Sequence, residues 1–491
     1  MSKRTRRQFL EDSMLVTAAA AAATWNANPA NRLFAEEPLA AAGPNDKLSV
    51  CCVGVRGRGG DHIANFVNRK DCEITWIVDA DENIGKARAA DIAKQQGREP
   101  QVATDMRQAF DDKELDIVTI ATPNHWHALA AIWAMQAGKD VYVEKPVSHN
   151  VSEGRRIVEV ARKYGKICQT GTQSRSMQGV RDGIQLIHDG GIGEVQMARG
   201  LCYKRRPSIG PKGEYPVPAG VNYDLWLGPA PMAPLTRQQF HYDWHWQFPY
   251  GNGDLGNQGI HQMDIARWGL KVNQLAKSAW SFGGRIGYED AGETPNTQVC
   301  LFDYGDGKSL VFEVRGLETQ PYMGAGVGNI FHGSDGYAVM PGYSDTIIFD
   351  RAGNKVREFH GGGDPYGNFV DAVRSRKSED LRADILEGHL SSALCHLGNI
   401  SYLQATDEIS IADLKQVAEK ASPALLAHDL LSRIESHVAD NKLDPKTTKF
   451  KFGPSLPFDP QAEKFVNNSA ADALLTRAYR APFVVPASDS I

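Results

Sequence analysis

The chain has 491 residues, which is too long for one ordinary hydrophobic core and predicts two or three domains. Hydrophobic residues make up 42% of the chain and charged residues 23%, as in soluble globular proteins. A formal net charge of -5 at pH 7 gives no electrostatic basis for binding nucleic acid. The 7 cysteines form no CxxC pair and show no metal-type spacing, so we expect neither a disulfide framework nor a metal site.

The first residues have the character of an export signal. Adjacent arginines, Arg6 and Arg7, precede a weakly apolar, alanine-rich run over residues 14–24, and small residues follow near positions 30 and 35. That run is shorter than the ~20 apolar residues that a membrane span needs. We therefore predict a twin-arginine signal peptide over residues 1–35 and a periplasmic or otherwise exported protein. The alternative is a disordered basic leader followed by an alanine-rich helix.

Residues 47–172 alternate between apolar runs and helical segments. Runs with the composition of buried strands occur at 47–55, 72–81, 115–123 and 140–146. Segments with helical character, such as residues 125–138, separate them. This rhythm predicts a doubly wound parallel sheet of the Rossmann type over residues 47–172.

The pattern changes in the second half of the chain. Short β-type runs separated by glycine-rich turns occur at 194–206, 276–288, 297–304, 308–315 and 336–359. Because they lack regular helical spacers, we predict a mainly antiparallel sheet in an α/β domain over residues 173–440. A helix over 384–404 is expected to pack back on the first domain. Residues 441–491 are rich in Pro, Asn and Lys, which favours an irregular wrap over the surface.

The first strand-to-helix turn carries a glycine motif. Gly54 and Gly59 occupy the first and third places of G-x-G-x-x-G, while Arg56 replaces the middle glycine and Gly57 follows it. A pyrophosphate sits on a helix N-terminus only where the backbone turns tightly and no Cβ blocks its approach. Asp79 ends the next strand, where an acid would bind the adenosine ribose and repel a 2′-phosphate. We predict a site for NAD rather than NADP; the alternative is a glycine-rich turn without a ligand.

With three further motifs, the chain resembles the glucose–fructose oxidoreductase/inositol dehydrogenase (Gfo/Idh/MocA) family. These motifs are Ala-Thr-Pro-Asn-His at 121–125, Glu-Lys-Pro at 144–146 and Gly-Ile-His-Gln-Met-Asp at 259–264. The resemblance covers residues 47 to about 405. It implies a Rossmann domain and an α/β domain whose large open sheet mediates homo-oligomerisation. It also implies sugars, sugar derivatives or cyclitols as substrates, and the leader resembles that of the exported branch.

The resemblance also implies roles for individual residues. It places Lys145 beside the nicotinamide and the reacting hydroxyl, Glu144 near the nicotinamide ribose and Asn124 near the nicotinamide end. The chemistry of alcohol oxidation agrees, since a histidine that titrates near neutrality suits the removal of the hydroxyl proton. We predict His261 as this base and Lys145 as the charge that stabilises the developing alkoxide. The alternatives are a helix-packing histidine and a solvated lysine.

One position departs from the pattern of the family. Many relatives carry an aspartate four residues before the histidine, and here Asn257 stands in that place. An amide can orient a substrate but cannot accept a proton. His261 then serves alone as base, the chemistry differs, or a nearby acid, Asp254 or Asp264, takes over. Asp264 is expected either to bind substrate or to have a structural role.

The segment from His241 to Trp246 is rich in polar-tipped aromatic residues. His241 and His245 have the i,i+4 spacing of metal ligands, although we favour the rim of a pocket. Trp244 and Trp246 have the flat faces on which sugars stack, so both are candidates for a carbohydrate site.

Three functions are compatible with these residues. An exported enzyme meets no renewable pool of free NAD, so we expect the cofactor to be held tightly and recycled. The first function is oxidoreduction of a secondary hydroxyl of a sugar or cyclitol. The second is glycoside cleavage or elimination through transient oxidation of the sugar, as in some family members. The third is sugar binding without catalysis, against which Lys145 and His261 argue.

Overall fold

The structure is a computed structural model that describes residues 47–414, 416 and 429–491. The predicted signal peptide at 1–35 lies outside the described residues. All seven cysteines lie within them, and each is buried and free. No helix in the described ranges combines the length and the apolar character that crossing a membrane requires.

The first sheet is parallel, with the strand order β3-β2-β1-β4-β5-β6. Its strands are β1 (Leu48–Val53), β2 (Cys72–Val78), β3 (Gln101–Ala103), β4 (Ile117–Ile120), β5 (Asp140–Val143) and β6 (Cys168–Thr170). Its helices are α1 (Arg58–Val67), α2 (Glu82–Gln96), α3 (Met106–Phe110), α4 (Asn124–Gln136) and α5 (Val151–Lys163). The predicted doubly wound sheet is confirmed. The strand order reverses beside β1, and such a reversal opens a ligand crevice at the carboxyl ends of the strands.

Alternating side chains of β1 build two separate hydrophobic cores, one on each face of this sheet. Val50 and Cys52 pack with residues of α1 and α2, whereas Cys51 and Val53 pack with residues of α4 and α5. Because both faces are covered, the strand is apolar along its whole length.

The second sheet has the order β14-β13-β12-β11-β7-β10-β9-β8-β16-β15. Its central strands are β7 (Val195–Tyr203), β8 (Ser278–Gly284), β9 (Thr297–Gly305), β10 (Lys308–Arg315), β11 (Val327–Gly333) and β12 (Gly336–Met340). Its outer strands are β13 (Thr346–Asp350), β14 (Lys355–Phe359), β15 (Glu408–Ser410) and β16 (Lys449–Phe452). All these pairs are antiparallel except β7 with β10, which confirms a mainly antiparallel sheet. β11 was not predicted, because its two glycines weaken the strand pattern.

Helices accompany this sheet and join it to the first domain. They are α6 (Gln178–His188), α7 (Tyr223–Leu227), α8 (Ile260–Gly269), α9 (Pro365–Ser375), α10 (Ile385–Leu403), α11 (Leu430–Asp440) and α12 (Ser469–Asp472). A π-helical turn, Leu255–Gly259, leads directly into α8. α10 packs against α5 and β6 of the first domain and against α8 and β8 of the second.

The C-terminal tail differs from the irregular wrap that its composition predicts. β16 pairs with β8, and β17 (Leu456–Asp459) pairs with both β8 and β18 (Lys464–Phe465). The edge of β8 offers backbone hydrogen-bonding groups, and pairing satisfies them. Farther along, Phe483 and Val485 join the hydrophobic core beside α4.

Candidate active site

A cavity of about 330 Å³ opens at the carboxyl ends of β1, β2, β4 and β5. It brings together residues that lie as far apart in the sequence as Val53 and Asn257. Nine of the predicted site residues line it: Gly54, Arg56, Gly57, Asp79, Asn124, Glu144, Lys145, Trp244 and Asn257. Three others, Gly59, His261 and Asp264, are described by the structure but are not part of its lining.

Two glycines shape the turn that begins the cavity. Gly54 has φ +77°, and a Cβ on it would lie 2.7 Å from the backbone nitrogen of Thr122. A Cβ on Gly59 would lie 1.8 Å from the carbonyl oxygen of Gly54, so Gly59 allows α1 to pack against the turn. A Cβ on Gly57 would meet no atom within 4 Å, since this residue faces open space. The turn is therefore a backbone cradle that fits a pyrophosphate at the start of α1.

Asp79 ties this cradle to the end of β2. Its carboxylate accepts hydrogen bonds from the backbone nitrogens of Val55 at 2.9 Å and Asp81 at 3.0 Å. The exposed side chain of Arg56 lies on the same rim, and Arg88 donates to the Arg56 carbonyl oxygen at 3.1 Å. The position of Asp79 in the cavity fits the ribose role predicted for it.

Removing the charge of Asp79 should weaken the preference for NAD over NADP. We expect the ratio of the two dissociation constants to fall on the order of tenfold in Asp79→Ala, because a carboxylate repels a 2′-phosphate. Asp79→Asn is the matched variant, since it removes the charge but keeps an acceptor for one backbone nitrogen. Titration of each variant with both dinucleotides measures the ratio. An unchanged ratio in the asparagine variant would show that Asp79 only supports the turn.

Glu144 is held by two basic residues of α1. Its Oε1 accepts from Arg58 Nε at 2.8 Å and lies 3.2 Å from His62 Nε2. Burial alone would raise the pKa of Glu144, but the hydrogen bond from His62 and the charge of Arg58 hold that pKa well below its ordinary value. Gly171 leaves room for the carboxylate, because a Cβ there would lie 2.8 Å from Glu144 Cδ. Arg58 was not predicted, since no local pattern links it to an acid 86 residues away.

Lys145 contacts the π-helical turn of the second domain. Its Nζ donates to the carbonyl oxygen of Asn257 at 2.6 Å, and the Lys145–Pro146 peptide bond is cis. Burial lowers the pKa of Lys145, and the positive charge of Arg58 adds to this effect against the opposing charge of Glu144. The backbone of Asn257, rather than its amide group, is thus the partner of the lysine.

His261 lies on α8 with its ring edge against Tyr343, at a centroid distance of 5.5 Å. Burial and then the charge of Lys145 lower the pKa of His261 well below its ordinary value. The imidazole is therefore neutral near pH 7, which is the form that accepts a proton. Its Nδ1 is buried and has no hydrogen-bond partner among the residues that the structure describes.

Neither nearby acid is free to replace the missing aspartate. Asp264 is buried and accepts from Arg175 at 2.7 and 2.9 Å and from Ser391 at 2.8 Å. Asp254 accepts from Arg206 at 3.0 and 2.6 Å. Both oxygens of Asp264 are engaged in a buried ion pair outside the cavity lining, which favours the structural role over the substrate-binding one.

Two residues of α4 connect the cavity wall to its surroundings. His127, which also lines the cavity, has Nδ1 2.6 Å from the Pro146 carbonyl oxygen and Nε2 2.7 Å from the Thr122 carbonyl oxygen. It thereby joins the 121–125 and 144–146 motifs, a role that the sequence did not reveal. Asn124 donates to Asn252 Oδ1 at 3.3 Å, which links the predicted nicotinamide end to the second domain.

Four residues of the aromatic segment, His241, Tyr242, Trp244 and His245, line the cavity. His241 Nε2 lies 3.3 Å from Asp81 Oδ2, and the ring of Trp244 stacks on His245 at a centroid distance of 3.6 Å. Burial lowers the pKa of His245 to about 3. Trp246 is buried against Arg206 and is not part of the cavity lining. Across the described ranges, no three His, Cys, Asp or Glu residues are grouped to hold a metal ion.

Two bacterial relatives match a third of the chain in sequence. The chain is 32% identical over 174 residues to a glycosyl hydrolase family 109 protein of Shewanella sp. strain W3-18-1, and 30% identical over 174 residues to an alpha-N-acetylgalactosaminidase of Shewanella oneidensis. Each match covers 33% of this chain and 38% of the relative, so the chain matches well under half of these proteins.

A solved structure shares the fold over most of the chain. The WlbA dehydrogenase from Bordetella pertussis, solved in complex with NADH and UDP-GlcNAcA, is 19% identical with a TM-score of 0.54. The match covers 72% of this chain and 95% of that one. The sequence profile of the Gfo/Idh/MocA oxidoreductases, an NAD-binding Rossmann fold, matches residues 48–172, and that of their C-terminal alpha/beta domain matches residues 209–430. The chain therefore belongs to the Gfo/Idh/MocA family of NAD-binding oxidoreductases.

Proposed function

We propose that the protein oxidises a secondary hydroxyl of a sugar, sugar derivative or cyclitol with NAD that it retains between turnovers. The observation that carries this proposal is that Lys145 lines the same cavity as the glycine turn and Asp79. Alcohol oxidation uses a cofactor cradle and a positive charge beside the reacting oxygen, and this cavity combines the cradle with the half-buried Lys145. The same observation argues against a protein that only binds sugar, since binding alone needs no ammonium group beside a cofactor cradle.

The chain's own residues divide the work in this reaction. The backbone of residues 54–59 and the Asp79 carboxylate would hold the pyrophosphate and the adenosine ribose. Bound NAD supplies a hydride acceptor for the oxidised carbon. The Lys145 ammonium, fixed by the Asn257 carbonyl oxygen, stabilises negative charge that develops on the substrate oxygen. We assign removal of the hydroxyl proton to the neutral imidazole of His261, which lies behind the cavity lining and close enough to Lys145 for the lysine charge to lower its pKa.

A second candidate is glycoside cleavage through transient oxidation of the sugar. The glycosyl hydrolase family 109 relatives and the alpha-N-acetylgalactosaminidase favour it, because they match this chain at 30–32% identity. Oxidation next to a C–H bond makes that hydrogen acidic, so a neighbouring glycosidic bond can be eliminated before the sugar is reduced again. The first step uses the same Lys145 and His261. The two functions differ in net redox change: the dehydrogenase oxidises the sugar, whereas cleavage releases a sugar that is neither oxidised nor reduced overall.

We expect Asn257→Asp to separate the two functions. In a closed cycle the proton taken by His261 returns to the same substrate, so a second carboxylate brings no advantage. A net dehydrogenase must pass that proton to solvent, and an aspartate in this half-buried position would help. The variant should therefore raise sugar oxidation with an artificial electron acceptor and leave glycoside cleavage unimproved, with Asn257→Ala as the control. Faster cleavage with unchanged oxidation would contradict this account. No change in either assay would indicate that Asn257 only orients its neighbours.

We also propose export and self-association. The twin arginines at positions 6 and 7 support export by the route that carries folded proteins, which would allow NAD to be acquired beforehand. The large second sheet supports a homo-oligomer, as the resemblance to the family implies. Fractionation of the producing cells, and the molar mass of the purified protein in solution, test these two points.

A further inference from the structure

A segment of the second domain crosses the carboxyl ends of the first sheet. We call residues 219–250 the strap. Its first part pairs with the residues that directly follow Asp79: Asn222 N donates to the Ala80 carbonyl oxygen at 2.7 Å, and Glu82 N donates to the Gly220 carbonyl oxygen at 3.0 Å. The strap therefore starts beside the residue predicted to bind the adenosine ribose.

The strap then continues along the cavity. Leu225, Trp226, Trp244 and His245 belong to the strap and line the cavity. Trp126 of α4 anchors its middle, because Trp126 Nε1 donates to the carbonyl oxygens of Leu225 at 2.9 Å and Trp226 at 3.1 Å. One continuous segment thus borders the cavity from the Asp79 end to the part near Lys145.

The C-terminal tail fastens this strap. We call residues 477–485 the clasp. Arg480 donates to the Gly228 carbonyl oxygen at 3.0 Å, to the Asp224 carbonyl oxygen at 2.7 Å and to Asp224 Oδ1 at 2.5 Å. At the other end of the strap, Arg477 donates to the Pro249 carbonyl oxygen at 3.0 Å.

The clasp is in turn anchored in the first domain. Phe483 is buried with its ring edge on Trp126, at a centroid distance of 5.5 Å, and the Arg480 guanidinium lies over the Phe483 ring. The clasp also lies beyond residues 209–430, where the match to the C-terminal family domain ends. It is thus an addition to the shared two-domain arrangement, and its arginines contact the strap.

We propose that the clasp holds the strap closed over the dinucleotide and sets the rate at which the dinucleotide leaves. In this proposal the dinucleotide leaves as the strap lifts, and lifting breaks the hydrogen bonds from Arg480 and Arg477. Hydrogen bonds from a charged group are stronger than neutral ones, and the Arg480 side chain that donates them is 19% exposed. This proposal rests on the proposed function in one respect: it gives a physical reason why NAD is retained between turnovers.

The test is the rate of NADH release from the full-length protein. Holoprotein loaded with NADH is mixed with an excess of NAD, and the loss of NADH fluorescence is followed in time. Arg480→Ala removes the three hydrogen bonds that Arg480 donates to the strap and should accelerate release by about ten- to a hundred-fold. Arg351→Ala is the matched control, because it removes an arginine from an exposed ion pair with Asp335. This control should release NADH at the parent rate.

Hydrogen exchange provides a second readout that does not involve the cofactor. In Arg480→Ala without added dinucleotide, the amides of residues 219–228 should exchange faster than in the parent, while those of β1 stay protected. If Arg480→Ala fails to fold, Asp224→Asn, which removes only the ion pair, should show a smaller acceleration. Parental release and exchange rates in a folded Arg480→Ala would overturn the proposal. If Arg480→Ala releases NADH faster but no sugar reduces the bound NAD, the result supports the proposal for the clasp and contradicts the proposed function.

Discussion

Replacing Lys145 by methionine is expected to lower turnover by a factor of about 10²–10⁴. The methionine keeps most of the length of the side chain but removes the charge that would stabilise the substrate oxygen. Glu144, which would lose a nearby cation, is still held by Arg58 and His62, so binding of NAD should persist. Steady-state rates with the best sugar or glycoside found, together with NAD content after purification, measure the two effects separately.

The comparison with His261→Ala makes this result informative. If His261 is the base, its loss should slow turnover to a similar degree. The decrease in rate that protonation of His261 causes at low pH should also disappear. Arg351→Ala again serves as a distant control. Turnover close to that of the parent protein in Lys145→Met would remove the lysine from the mechanism. The same result in His261→Ala would remove the histidine from the mechanism.

Asp264→Ala is expected to destabilise the protein by about 3–5 kcal/mol, which is the cost of leaving a buried charge without its partner. The side chain of Arg175 is 9% exposed and would keep one ion pair, with Glu387, and its contact with the Trp268 ring. KM of the fraction that folds should stay close to the parental value, because Asp264 does not line the cavity. Urea unfolding measures the stability, and substrate titration measures KM.

Asp335→Ala is the surface counterpart of this variant. Its ion pair with Arg351 is about 70% exposed on both sides, so the loss should change the free energy of unfolding by no more than ~1 kcal/mol. An Asp264→Ala protein of normal stability with a greatly raised KM would contradict the structural role and restore the substrate-binding one.

The parts of the site that could be predicted from the sequence depend on contacts close along the chain. The cradle is one example, since Gly54 and Gly59 lie in one turn and their spacing predicts the tight backbone turn at the start of α1. The alternation of apolar residues likewise predicts β1 and its neighbours. Asp79 follows from its place at the end of the next strand. In each case, the partner lies within the same strand–helix–strand unit.

The parts that were missed depend on long-range contacts. The partner of Asp264 is 89 residues away in a short 3₁₀ segment, so its helical position three residues after His261 was compatible with either role. Arg480 reaches the strap across 256 residues. The family motif placed Lys145 at the site, but only the structure shows that its ammonium meets a backbone carbonyl oxygen of Asn257 rather than the amide that differs from the usual aspartate.

One measurement tests the central claim most directly. The purified protein is denatured to identify the dinucleotide that it releases, and the native protein is then mixed with sugars and glycosides while the absorbance of reduced nicotinamide is followed. The account predicts that the dinucleotide is NAD, that at least one sugar or glycoside reduces it on the protein, and that Lys145→Met abolishes this reduction within the same time. Release of NADP, or bound NAD that none of these compounds reduces, would contradict it.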